Sequence, residues 1–497
     1  MSDNISEETL ASYIGVSGPE TPKFLLANNF LSEFFQPDQS DKLKRFMYDD
    51  FSNAGILKCE EDDEQKKQVL KESFDRFFRH FSGEDMIHSR YKNQYFYFPV
   101  KPQMLKSSSY NLRHLLFNMI PNIEDKDKFN HLRHLMEDYL YAESTGVDYL
   151  LGELCGHLND KGHMLRNGGR SREFSYLRKQ LYRDMCNKFN EDLECLLTHP
   201  FFRELDFYRR YDYLATLLNN YVIQFILKRS SESGGTEKGY IICQGAASSH
   251  LLNTGEFHRA CVQNYAEIRS VFPKKLKEFY IHRLEAVVGK DNKIELIAER
   301  GSLRVNRETF EGFIKKVFNS NLKETESLYN SVKKVYKIME EGKAYLFTAN
   351  EFAMYFIDVS KARKGSSLTK ISSTLPTVGK DMDFIFPKNR SRHKFFAMSP
   401  SLLEFHTRLY LAKQGRMYAY LDSFLQYLEE YYHICIIKSE AMDRVLRKLQ
   451  IKVPFQEFRL NEQVLLENLE EINCLIRLSD SGYVITLPEE KGEFKLL

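Results

Sequence analysis

The sequence predicts a mainly α, multidomain protein with a helical N-terminal half, a mixed α/β middle and a C-terminal winged-helix-like domain. Three observations carry that prediction. The chain has 497 residues, beyond the size at which a single hydrophobic core stops growing, so about three domains are expected. Apolar residues recur at spacings of three and four along most of its length, the period of helices that bury one face. Residues 395–497 instead run helix, helix, then an apolar hairpin.

Composition places the chain among folded globular proteins, with 42% hydrophobic and 28% charged residues. Its 38 Phe and 29 Tyr stand beside no Trp, so the smaller rings must carry much of the core. The 71 basic and 69 acidic residues leave a net charge of +2, which predicts no chain-wide attraction to nucleic acid or anionic lipid; such binding needs a local patch. The cysteines, Cys59, Cys155, Cys186, Cys195, Cys243, Cys261, Cys435 and Cys474, form no C-x-x-C pair, which predicts free thiols in a reducing compartment. The start, MSDNISEETLASYIGV, is acidic rather than basic-then-apolar, and no apolar run approaches the roughly 18 residues that span a bilayer. A cytoplasmic protein without a membrane partner is expected.

Residues 1–107 predict a helical region with a short strand, because KQVLKESFDRFFRHF (Lys67 to Phe81) has a helical period and YFYFPV (Tyr95 to Val100) reads as a strand. Residues 108–229 predict a helical domain, with helices over Asn111–Ile120, Phe129–Tyr141, Glu173–Leu197 and Phe202–Leu227. The stretch RSSESGGTEKG (Arg229 to Gly239) reads as a hinge. Beyond it, YIICQG opens a mixed α/β domain over 240–362. There EFYIHRLEAVV and KIELIAER predict paired strands or short helices, and residues near 306–319, 323–341 and 349–362 predict amphipathic helices. Residues 363–394 carry no helical period and predict a basic linker or loop.

Within 395–497, Ser399-Pro400 supplies a cap and first helical residue for a helix through Leu411, followed by a second from Met417 to Tyr432. Ser439 is expected to cap a third, Glu440 to Leu449, and Asn461 a fourth, EQVLLENLEEI. That helix passes into CLIRL, the turn SDSG and YVITL, a hairpin. The fourth helix, read this way, shows solvent Glu462, Glu467, Glu470 and Glu471. An acidic face is repelled by phosphates, so it predicts protein docking rather than groove reading.

No catalytic motif emerges. A phosphate loop needs G-x-x-x-x-G-K followed by Ser or Thr; GGTEKGY from Gly234 lacks both the Lys and the hydroxyl in register. G-x-S-x-G and H-E-x-x-H are absent. Lys290, Asp291 and Glu295 near KIELIAER lack the basic partner of a magnesium nuclease site. In HLRHLMED, His131, His134 and Glu137 fall on adjacent helical turns and could hold a metal, although Leu132, Leu135 and Met136 also make an ordinary amphipathic helix. Cys155 and His157 read as packing residues. No cofactor is predicted. The strongest charge bias lies between Lys361 and Lys394, where Lys361, Arg363, Lys364, Lys370, Lys380, Lys388, Arg390, Arg392 and Lys394 meet only Asp381 and Asp383. It predicts either a solvated linker or a nucleic-acid or partner-binding patch led by Arg390, Arg392 and Lys394.

The helix bearing Leu465, Leu466 and Leu469, followed by IRLSDSGYVITLP (Ile476 to Pro488), resembles the C-terminal end of the DptG or DndG proteins. These are accessory subunits of phosphorothioation-dependent DNA restriction systems. RSRHKFFAMSPSLLEFHTRLYL (Arg390 to Leu411) and YYHICII are similar to the upstream part of such proteins in related anti-phage operons. The resemblance implies a non-enzymatic adaptor in a bacterial antiviral defence complex that restricts invading DNA beside a HerA/FtsK-type ATPase and other subunits, with double-stranded DNA a further candidate partner. Two other readings are kept: a stand-alone winged-helix nucleic-acid-binding regulator, and a metal-dependent enzyme built on His131, His134 and Glu137.

Overall fold

A computed structural model describes residues 23–31, 34, 78–81, 84–91, 94–97, 110–141, 177, 180–232, 239–244, 255–272, 274–275, 295–297, 302–305, 345–348, 367–389, 391, 393–479 and 482–488. Helices take 71% of them, so the protein is mainly α. The chain divides into two compact units, one of residues 1–19 and 269–374, the other of 20–268 and 375–497. No helix among the described residues is long and apolar enough to cross a membrane.

The larger unit begins with α1 (Lys23–Leu31) and an antiparallel sheet of β1 (Phe78–Phe81), β2 (Glu84–Tyr91) and β3 (Gln94–Tyr97). β3 overlaps the strand expected at Tyr95, whereas Phe78–Phe81, expected as helix, is strand. There follow α2 (Tyr110–Met119), α3 (Lys126–Tyr141), α4 (Gln180–Thr198), the single turn α5 (Pro200–Arg203) and the long α6 (Phe207–Glu232), close to the helices the apolar period predicts. Phe30, Phe34, Phe117 and Phe129 pack ring against ring where α1 meets α2 and α3, so Phe does fill core space that Trp would otherwise occupy.

The strand β4 (Tyr240–Ile241) and the helix α7 (Glu256–Arg269) come next in this chain. In the smaller unit, β5 (Glu295–Ile297), β6 (Ser302–Val305) and β7 (Tyr345–Thr348) form an antiparallel sheet in that order, so the described part of KIELIAER, Glu295–Ile297, is strand. EFYIHRLEAVV and the helices expected over 306–319, 323–341 and 349–362 lie outside the described residues.

Residues 367–381, expected as linker, form the helix α8 (Ser367–Asp381). Its Ser and Thr residues, internal Pro376 and Gly379 are poor helix formers, which is why no helix was expected. Burial decides otherwise: Leu375, Val378 and Met382 form a buried stripe at spacings of three and four. Gly379 is required there, since a Cβ would run into the Ile385 side chain.

The last segment runs β8 (Ile385–Phe386), β9 (Phe395–Phe396), α9 (Pro400–Gln414), β10 (Tyr418–Tyr420), α10 (Leu421–Tyr432), β11 (Ile434–Cys435), α11 (Glu440–Leu449), α12 (Phe455–Glu471), β12 (Leu475–Arg477) and β13 (Tyr483–Thr486). The expected caps hold at two helices. Ser399 accepts from Leu402 N at 3.2 Å and Ser439 from Met442 N at 3.1 Å, each satisfying an amide the helix leaves open. α9 ends at Gly415, whose φ of 60° suits a residue without Cβ. The closing sheet is antiparallel with strand order β10-β13-β12.

Asn461 does not cap α12. The helix begins six residues earlier, and Asn461 is a fully buried mid-helix residue. Its Oδ1 accepts from Gln244 N at 2.7 Å, and its Nδ2 donates to the carbonyls of Ile242 at 3.0 Å and Ile436 at 2.9 Å. Asn264 of α7 does the same for Ile241 N and Gly239 O. Two buried amides thus hold the segment Gly239–Gln244, in which β4 pairs in parallel with β11 and Ile242 bridges to Phe396. Asn461→Ala should cost on the order of 2 kcal/mol, because it strands three backbone groups away from water. Urea unfolding checks this, and a loss below about 0.5 kcal/mol would contradict it.

Candidate functional site

Of the residues predicted to form a basic patch, Lys361, Arg363, Lys364, Arg390 and Arg392 lie outside the described residues. Lys388 pairs with Asp383 and remains half exposed. Lys394 is turned inward: it is 9% exposed and its ammonium donates to the carbonyls of Pro387 at 2.6 Å and Asn389 at 2.9 Å. It shapes the loop between β8 and β9 instead of facing solvent, as a Lys that finds carbonyl acceptors beside its stem will do. His131 and His134 are exposed on α3, and His134 Nδ1 lies 3.7 Å from Glu137 Oε2. Among the described residues no group of three or more His, Cys, Asp or Glu is placed to hold a metal. Cys155 and His157 lie outside them.

The structure brings together a cluster the sequence reading passed over, centred on Asp192 of α4, which is fully buried. Its Oδ1 accepts from Lys413 Nζ of α9 at 2.7 Å and from the Tyr431 hydroxyl of α10 at 3.0 Å. Its Oδ2 accepts from the Tyr221 hydroxyl of α6 at 2.7 Å and from the Tyr432 hydroxyl. Four donors fill the carboxylate's acceptor sites, the condition under which a buried charge is tolerated. Burial and the Asp192 charge push all three phenols up and the nearby Cys195 thiol up to about 12, so these groups stay protonated donors. A signal was present in the sequence: Asp192 stands three residues after Phe189 and four before Leu196, on the apolar stripe of its own helix.

Beside this cluster opens a cavity of about 320 Å³ between α4, α6 and the end of α10. Leu181, Met185, Tyr221, Leu227, Tyr431 and Tyr432 give it apolar walls, and Asp184, Lys188, Gln224, Lys228, Ser231, Glu232 and His433 add polar groups.

A second feature is a surface. α11 and α12 are joined by the turn Gln450–Pro454, with Gln450 left-handed at φ 57°. Because α12 starts at Phe455, its first half exposes Gln456, Arg459, Leu460, Glu462 and Gln463. Of these, Gln456, Arg459, Leu460 and Gln463 are spaced three and four apart on one face, and Gln463 donates to Glu467 at 3.0 Å. Phe455 is 57% exposed, with the Arg459 guanidinium 5.0 Å and the Lys438 ammonium 5.8 Å from its ring centre. Arg444 and Arg447 of α11 and Lys452 of the turn are also exposed. Acidic residues stand beside these cations, Glu440 and Asp443 in the first turn of α11 and Glu462 on α12. Lys448 pairs with Glu267, and Glu457 is occupied accepting from Phe257 N at the start of α7. The acidic residues Glu467, Glu470 and Glu471 belong to the second half of α12, where Glu470 is held by Arg477. Glu462, Glu467 and Glu471 are exposed as expected; the earlier start of α12 adds Gln456, Arg459 and Leu460 ahead of them.

No family model matches the chain, and neither a curated protein nor a solved structure matches it.

Proposed function

We propose that the chain is a non-catalytic, cytoplasmic adaptor of a bacterial anti-phage DNA-targeting complex, working beside a HerA/FtsK-type ATPase, and that it contacts duplex DNA through a C-terminal winged-helix-like module. The observation that carries the DNA contact is the first half of α12. It offers Gln456 and Arg459 along one solvent face, with Gln463, bonded to Glu467, one turn on and Glu462 beside it. Gln and Arg are side-chain types that pair with base edges in the major groove. Arg444, Arg447, Lys438 and Lys452 stand on adjoining elements, as phosphate contacts that set register would. The order α9, β10, α10, β11, α11, α12, β12, β13, with sheet order β10-β13-β12, ends in two helices and a hairpin, which supports a winged-helix-like arrangement in which α12 is the reading helix. The adaptor role rests on the resemblance of Arg390–Leu411 and Ile476–Pro488 to the DptG or DndG proteins. It agrees with the character of the Asp192 cluster, whose polar groups are saturated by one another.

The test titrates a labelled duplex with the full chain at about 50 and about 200 mM salt, with and without the ATPase. Binding is expected to weaken on the order of 100-fold across that range, as it does when about four phosphates are contacted. Arg447→Ala, Lys452→Ala and Arg459→Ala together should lower affinity at least about 10-fold and flatten the salt slope by about two, one for each phosphate contact removed. Absence of binding at about 50 mM salt, with the ATPase present as well as without it, would remove the DNA contact. Failure of the chain to associate with the ATPase on or off DNA would remove the adaptor role.

A further inference from the structure

The cavity between α4, α6 and α10 has a division of labour among its polar groups. The hydroxyls of Tyr221, Tyr431 and Tyr432 donate away from it, to Asp192, so these residues offer the cavity carbon rather than oxygen. Lys188 is engaged by Asp184 at 3.2 Å and by the Tyr431 carbonyl at 3.2 Å. Glu232 is paired with Arg229 at 2.8 Å, and Ser231 donates to Leu227 O at 3.2 Å. Two groups remain. Gln224 is 7% exposed, and its amide nitrogen has no hydrogen-bond partner among the described residues. Lys228 lies one turn further along α6, on the same face, with no ion pair among the described residues.

A buried amide without a partner costs about 1–3 kcal/mol, and such groups call for a reason. Here the unpartnered amide and the open ammonium stand side by side on the wall of an apolar cavity whose volume lies at the lower end of the range of small-molecule sites. We propose that this cavity binds a small planar aromatic molecule carrying one anionic group, no larger than a mononucleotide, with Gln224 hydrogen-bonding the ring edge and Lys228 neutralising the anion. The ring replaces water against Leu181, Met185, Leu227 and the tyrosine rings, the transfer that drives apolar ligands into such sites. A single anion matches the site because Lys228 is the one cation of the lining not already balanced by a described carboxylate. This site is independent of the DNA-contacting surface and does not rest on the adaptor reading.

The test uses the full chain and three probes: a purine nucleoside monophosphate, an aromatic monocarboxylate and inorganic phosphate. Binding is read by calorimetry and by saturation-transfer NMR. At least one of the two aromatic anions is expected to bind with sub-millimolar affinity while phosphate does not, and which of the two binds identifies the ring and anion preferred. Lys228→Gln, at a partly exposed position that should not disturb folding, should weaken binding at least about 10-fold. Gln224→Leu should weaken it similarly while leaving the melting temperature equal or higher, since it replaces an unpartnered buried amide with an apolar side chain of similar size. Both effects together distinguish a ligand-binding amide from a structural one. Absence of binding by both aromatic anions, phosphate binding as tightly as they do, or binding indifferent to both substitutions would each overturn the proposal.

Discussion

Asp192→Ala should destabilise the protein by about 3–5 kcal/mol, the loss typical of removing one partner from a buried ion pair. The carboxylate is fully buried, and its removal leaves the Lys413 ammonium and three tyrosine hydroxyls without their shared acceptor. Lys413→Met is expected to cost less, about 1–2 kcal/mol, because Asp192 would keep its three phenol donors and the Lys413 side chain is 18% exposed. Urea unfolding of the two variants separates the contributions. Equal losses would mean that the charge pair, rather than saturation of the carboxylate, holds the cluster together. The effect is structural in a specific sense: Asp192, Tyr221, Lys413 and Tyr432 sit on four different helices, so the cluster fastens α9 and α10 to α4 and α6. The same seam is reinforced by Arg408, which donates to Phe201 O at 2.8 Å, and by Tyr213, which donates to Glu404 at 2.7 Å.

The second large effect is a loss of stability in mild acid. His406 lies fully buried on α9, with no hydrogen-bond partner for either ring nitrogen among the described residues, edge-on to Phe405 and Tyr432. Burial lowers its pKa from 6.5 to about 3, so the folded state keeps it neutral. The unfolded chain binds a proton near pH 6.5 and the folded one does not until about pH 3. Stability from this group is therefore complete above pH 6.5 and falls as the pH drops through the interval down to 3, by about 1.4 kcal/mol per unit. At about pH 4.5 the loss is roughly 2.7 kcal/mol. His114 adds to it, lowered to about 3 by burial and then by the Arg113 charge. His406→Phe should be close to neutral at about pH 7.5, since apolar rings already surround the site, and should lower the acid slope by about one proton. Unfolding free energies at three pH values provide the measurement, and an unchanged slope in the variant would rule out His406 as the source.

Much of the secondary structure was legible because its signals are local. Ser399-Pro400 and Ser439 begin helices where a side-chain oxygen can reach an open amide, and that geometry depends on a few neighbouring residues. The helices over 110–141 and 180–232 follow from apolar spacing alone, as do the strands of CLIRL and YVITL. Local signals misled where a residue had two uses. Asn461 is a good capping residue, and equally a side chain able to satisfy three backbone groups of a neighbouring strand; only packing against Gly239–Gln244 decides between them. α8 reversed the error, since poor propensity concealed the stripe of Leu375, Val378 and Met382 that tertiary burial makes decisive.

What this sequence determined by itself, then, is the helical class, most helix positions, two caps and the closing hairpin, because periodicity and capping act within a turn or two of the chain. The sites were decided elsewhere. Asp192 and Lys413 are 221 residues apart, and the cavity takes its walls from residues 181–232 and 431–433. The charge, hydrogen bonding and shape of such places arise only when distant segments share one interior. A lone Asp on an apolar stripe announces that some partner must come, and the tertiary structure supplies which one, since an ion removed from water is stable only where the fold has already gathered its donors.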